Sequence, residues 1–112
     1  MITKDELLKI KSDGREMMEK EFRSFFNDIE DMFDSRLKSH FETGSPEACI
    51  IRMDRIKYRY EQKCKNLKIR VDDGYYLENI CEILSKYRDT GIECDIWSDD
   101  GRGYPFCLFD IW

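Results

Sequence analysis

The chain has a single histidine, His40, no Cys-x-x-Cys pair among its five cysteines, and no apolar run approaching the ~20 residues of a membrane span. Structural zinc wants Cys or His ligands paired a few residues apart, whereas the cysteines stand singly at 49, 64, 81, 94 and 107, so no metal is expected. They read as reduced, buried thiols of a cytoplasmic protein. The opening MITKDELLKIK is charged throughout and has no apolar core of a signal peptide. With one imidazole, the commonest general base has a single candidate. His40 lies near the end of an acidic helical stretch with no nucleophile motif beside it, a place where partial positive charge is favoured. The acid pairs Asp72-Asp73 and Asp99-Asp100 sit among turn residues and read as turn formers. Asp99-Asp100-Gly101-Arg102-Gly103-Tyr104 lacks the lysine of a phosphate loop and connects two strand patterns rather than a strand and a helix. No catalytic residue, cofactor or metal ligand is assigned, and a non-enzymatic protein is expected.

What the chain does have is charge sorted into blocks. Residues 1–45 carry 8 Lys/Arg against 11 Asp/Glu, residues 46–70 carry 8 against 3, and residues 71–112 carry 3 against 10. The fold must either neutralise the basic block internally or show it to an anionic partner. A sequence pI near 5.0 disfavours general nucleic-acid binding, since a polyanion would meet repulsion elsewhere on the surface. At 112 residues, with 41% hydrophobic and 13% aromatic content, one domain with its own core is expected, a helical part over 1–66 and a βαββ part over 67–112.

From Gly14 to Phe41, Met18, Phe22, Phe25, Phe26, Ile29, Met32, Phe33 and Leu37 recur at spacings of three and four, which predicts a long helix. Asp13 with Glu16 can form its capping box, and Leu7, Leu8 and Ile10 suggest a short turn or continuation before it. Such a helix should outrun the rest of the monomer, leaving room for a second helix or a second subunit. Gly44, Ser45, Pro46 and Glu47 then read as stop, N-cap, first helical position and dipole partner. A helix over 46–66 would align Met53, Ile56, Tyr60, Cys64 and Leu67 on one stripe and Arg52, Arg55, Arg59 and Lys63 on its neighbour. The competing strand would alternate Ile56, Tyr58 and Tyr60 with Lys57 and Arg59.

Beyond it, Leu67 to Val71 alternates as a strand, Asp72-Asp73-Gly74 turns, and Tyr76, Leu77, Ile80, Ile83, Leu84 and Tyr87 line a helix closing at Thr90-Gly91. Ile92 to Ser98 and Tyr104 to Ile111 form a hairpin around Asp100-Gly101. A two-residue turn there would set Cys94 opposite Cys107 and Trp97 opposite Tyr104. One face, with Ile92, Cys94, Ile96, Cys107, Phe109 and Ile111, is the expected core. The other carries Glu93, Asp95, Trp97, Tyr104, Phe106, Leu108, Asp110 and Trp112, and needs a cover, either the chain's own helices or a partner.

The basic stripe has two readings as well. The acidic first helix can pair with it across a helical hairpin, or Arg52, Arg55, Arg59 and Lys63, with Tyr58 and Tyr60 nearby, can hold a small anionic nucleotide.

The stretch Leu67 to Trp112, above all KYRDTGIECDIWSDDGRGY and the ending CLFDIW, resembles a class of small phage-encoded accessory proteins with a charged N-terminal helix and a C-terminal strand, helix and hairpin. The resemblance implies a virus-encoded protein of the host cytoplasm, of the counter-defence kind, with no catalytic residues. The fold expected is α+β, an N-terminal helical hairpin packed on a βαββ unit whose small three-stranded sheet is largely antiparallel. The leading function is an oligomeric protein that occupies a host protein surface through Asp95, Trp97, Tyr104 and Phe106, with Arg102 at the hairpin tip. The alternatives are the anion binder, a small-ligand protein using the basic stripe, and a virion or scaffolding component.

Overall fold

The computed structural model describes all 112 residues. It is an α+β fold with helices α1 (Lys4–Phe41), α2 (Asp54–Asn66) and α3 (Asp73–Asp89) and strands β1 (Cys49–Arg52), β2 (Glu93–Trp97) and β3 (Phe106–Asp110). The strands form one antiparallel sheet in the order β1-β3-β2. The helices pack on one of its faces.

α1 is a single helix that begins three turns earlier than Asp13 would have it. Thr3 caps it, its hydroxyl accepting from the Glu6 amide at 3.2 Å, and Asp13 lies in the helix interior. Its 38 residues give a length of ~57 Å, close to the 60 Å longest dimension of the molecule. The expected protrusion is therefore present. Phe22, Phe26, Ile29 and Phe33 are buried, while every residue from 1 to 13 is exposed.

The helix expected over 46–66 is overturned in its first half. Ser45 accepts from the Glu47 amide in a tight turn rather than capping a helix. Cys49 to Arg52 instead forms a strand whose residues alternate buried and exposed. Pairing with β3 lets Cys49 and Ile51 enter the core beside Phe109 and Cys107, and β-branched isoleucines suit that pleated surface. The helix starts only at Asp54, so the strand alternative for Ile56 to Tyr60 also falls.

The strand expected at Leu67 to Val71 is absent. α2 ends in a Schellman motif: the Ile69 amide donates to the Cys64 carbonyl and the Lys68 amide to the Lys65 carbonyl, both at 3.0 Å. This puts Lys68 at φ +57, and a left-handed residue breaks the alternation a strand needs. Asp72 is the N-cap of α3 rather than part of a free turn, accepting from the Tyr75 amide at 3.0 Å. α3 closes at Thr90-Gly91 as expected, with Gly91 at φ +92. Leu77, expected on its inner face, is 47% exposed.

The hairpin forms, with a register two residues away from the expected one. Cys94 faces Phe109, Ile96 faces Cys107 and Trp97 faces Phe106, so the two cysteines are not opposed. The cause is the loop. Asp99 Oδ1 accepts from the Gly101 and Gly103 amides, both at 2.7 Å, and Asp100 Oδ1 from those of Arg102 and Tyr104 at 2.9 and 3.4 Å. These bonds, with Gly101 and Gly103 both at positive φ, stabilise a longer connection. A shift of two keeps the side chains of β2 and β3 on their expected faces, but Ile111, expected in the core, lies beyond the end of β3 and is exposed.

One core cluster joins all six elements. Tyr60 of α2 sits in an aromatic group with Phe22, its centroid 5.1 Å away, and Tyr76, also at 5.1 Å, and its hydroxyl donates to the Asp72 carbonyl at 2.8 Å. Phe109 of β3 meets Phe33 at 5.2 Å and Tyr87 at 5.5 Å. The edge strand β2 is blunted, since the Cys94 carbonyl accepts from Arg88 Nε and the Ile96 amide donates to Asp95 Oδ1.

Candidate functional site

The sheet has one face on the helices and one open. Across the open face Arg52, Phe106 and Trp97 share a row, Ile50, Leu108 and Asp95 the next, and Asp110 pairs with Glu93 beyond them. The chain's own helices do not cover this face. Trp97 is 53% exposed and Ile50 60%, and Phe106 and Leu108 between them are half-buried. The Trp97 and Phe106 rings stack with centroids 6.2 Å apart and planes within 5°.

Tyr104 joins this patch through Arg52, whose guanidinium carbon stands 4.0 Å from the tyrosine ring centroid. Arg52 Nε and a terminal nitrogen donate to the two Asp54 oxygens at 3.1 and 3.0 Å, a fork that raises the Arg52 pKa and lowers that of Asp54. Four of the five residues expected to bind a partner, Asp95, Trp97, Tyr104 and Phe106, are thus gathered around one surface. The fifth, Arg102, is exposed in the 98–105 loop. Ile50 and Arg52 complete the patch from β1, a strand that the sequence pattern conceals.

At the Trp97 end of the sheet a cavity of about 660 Å³ lies between the hairpin, α2 and α3. Tyr58, Leu77, Ile96 and Pro105 supply apolar wall, and Asp54, Glu61 and Asp73 outnumber Lys57 among the charges. Tyr76 also lines it. That side chain is 5% exposed, its hydroxyl has no hydrogen-bond partner, and burial drives its pKa well above the ordinary tyrosine value.

Apart from Arg52 the residues of the basic stripe lie elsewhere, and the pairing of acidic with basic helix does not occur. The ion pairs of α1 run to α3, Arg15 to Glu78 at 3.1 Å and Glu30 to Lys86 at 2.8 Å. Arg55, Arg59 and Lys63 of α2 take part in no ion pair, although Lys63 Nζ stands 5.3 Å from the Phe22 ring centroid. They line a groove of about 710 Å³ between α1 and the β1–α2 corner, where Arg36 of α1 joins them. Arg52 lines it too, but its charge is engaged by Asp54. The expected four-cation stripe is therefore divided between a strand and a helix.

Comparison of the chain with protein-family models, with curated proteins and with solved structures finds no match.

Proposed function

We propose that the protein is a non-enzymatic binding protein that acts by occupying the surface of another protein, with the open sheet face as its contact. The stacked Trp97–Phe106 pair carries this reading. It stands half in water at the β2 end of the row that Arg52 begins, next to a cavity that a partner side chain can enter. Binding energy concentrates in such aromatic anchors when a rim of polar groups excludes water around them. Glu93, Asp95 and Asp110 provide that rim and select a partner that presents cations. The phage-type resemblance of Leu67 to Trp112 supplies the concrete form, a counter-defence inhibitor acting in the host cytoplasm.

The test is affinity capture from the native host by the wild-type chain and by a Trp97→Ala, Phe106→Ala double variant that keeps the wild-type circular dichroism and still melts cooperatively above the assay temperature. The same host protein should be retained by the first and lost by the second. Equal retention by both removes the sheet face as the contact.

Self-assembly, including a scaffolding role, is a second reading with its own surface. Leu7, Leu8 and Ile10 are exposed on the part of α1 that runs past the core. Light scattering of the purified chain decides it, a monomer mass at all concentrations removing this reading.

A further inference from the structure

We propose that the groove between α1 and the β1–α2 corner, which meets the open sheet face only at Ile50 and Arg52, binds a small phosphate-bearing ligand of nucleotide size. Its volume of about 710 Å³ falls within the ~300–1,000 Å³ of small-molecule sites. Its charge is concentrated and unspent. Arg36, Arg55, Arg59 and Lys63 line it without an ion pair, and the one acid of α1 that forms an ion pair, Glu30, does so with Lys86 of α3. Arg55 and Arg59 are four residues apart on α2, a spacing at which like charges repel along a helix. In a chain of net charge −5, cations kept together at such a cost are explained by an anion between them.

The two walls divide the work of recognition. Arginine forks on α2 and at Arg36 on the facing helix suit phosphate oxygens, which accept two parallel N–H bonds from one guanidinium. Phe25, Ile29, Met32 and Ile56 offer an apolar bed for a flat base. Two carboxylates also line the groove. Asp54 is held by Arg52, and Asp28, free of ion pairs, is placed to accept from an exocyclic amine of a base. It would also repel an extended polyanion, so the site favours a compact ligand over a nucleic-acid strand.

Isothermal titration of the full chain with ADP, a cyclic dinucleotide and inorganic pyrophosphate tests this. At least one of the two nucleotides should bind with a dissociation constant below about 100 μM, and pyrophosphate more weakly because it leaves the apolar bed empty. An Arg55→Gln, Arg59→Gln variant should lose at least about tenfold in affinity, both side chains being exposed and removable without unfolding. Trp97→Ala should bind as the wild type does, which separates this site from the partner surface. The proposal is overturned if neither nucleotide binds, if the double variant binds them undiminished, or if a glutamate-rich octapeptide binds in their place.

Discussion

Trp97 and Phe106 stack across the β2–β3 hairpin on the face that no helix covers, with ring centroids 6.2 Å apart. Phe109, on the opposite face of the same strand as Phe106, is fully buried against Phe33 and Tyr87. One hairpin thus divides its aromatics between core and open surface. Phe109→Ala should cost about 3–5 kcal/mol, the range for emptying a packed aromatic site. Trp97→Ala should cost about 1 kcal/mol, the value of one cross-strand aromatic contact. Guanidinium unfolding of the two variants measures both. A loss at Trp97 as large as that at Phe109 would place the tryptophan in the core and remove it as an anchor.

The long helices and the composition of the two hairpin faces are legible in the sequence because each rests on a repeated local signal, apolar spacing along a helix or alternation along a strand. β1 is not. Four residues, Cys49 to Arg52, carry only two alternations, and the same residues extend the apolar and basic stripes of α2 backwards by almost a turn. What makes them a strand is pairing with β3, more than fifty residues away in sequence. The hairpin register is hidden for a similar reason: Asp-Gly marks a turn but does not reveal that Asp99 and Asp100 each bind two loop amides. The site is legible on the β2–β3 side only. Ile50 and Arg52 reach the open face through β1, and Arg36 reaches the basic groove from a helix whose charge is mostly acidic.

Lys68 is the one non-glycine residue at positive φ, at the position where Schellman motifs favour glycine. Its side chain is exposed and makes no ion pair. Left-handed backbone costs an L-residue ~1–2 kcal/mol, part of which glycine returns through the greater freedom of the unfolded chain. Lys68→Gly should therefore raise stability by about 0.5–1 kcal/mol, read as a higher melting temperature with an unchanged far-ultraviolet spectrum. Lys68→Ala should bring no such gain, because it keeps the Cβ that causes the strain.

Alkali should destabilise this fold at a lower pH than its surface charge alone would suggest. Burial pushes the Cys107 thiol from its ordinary 9.0 up to about 12, and moves Cys49, Cys64 and Cys94 in the same direction. Tyr60, Tyr76 and Tyr87 are likewise raised, burial being the largest cause in each. The native state thus prefers the neutral forms. Their contribution is complete below the pKa values of the unfolded chain and is lost as pH rises through the native ones, for Cys107 between 9.0 and about 12. Melting temperature should hold steady from neutrality to about pH 8.5 and fall progressively above it. Cys107→Ala should flatten part of that fall, whatever it does to stability at neutral pH. An unchanged slope in this variant would show that the thiol is not what titrates.

Tyr87 ties α3 to α1 by a bond that can be isolated. Its hydroxyl lies 2.6 Å from Asp34 Oδ1 and 3.1 Å from the Glu30 carbonyl, while its ring packs between Phe33 and Phe109. The neighbouring ion pair of Lys86 with Glu30 is largely exposed and should contribute only ~0–1 kcal/mol. The tyrosine bond has a carboxylate acceptor and a mostly buried donor, a combination worth ~1.5–3 kcal/mol. Tyr87→Phe keeps the ring and removes the bond, so it should cost about 1–2 kcal/mol, softened because the exposed Asp34 regains water. Asp34→Ala should cost a similar amount alone and close to nothing in the Tyr87→Phe background, giving a coupling of about 1 kcal/mol or more in a double-mutant cycle. Additive losses would mean that packing of the Tyr87 ring, rather than its hydroxyl, holds the two helices together.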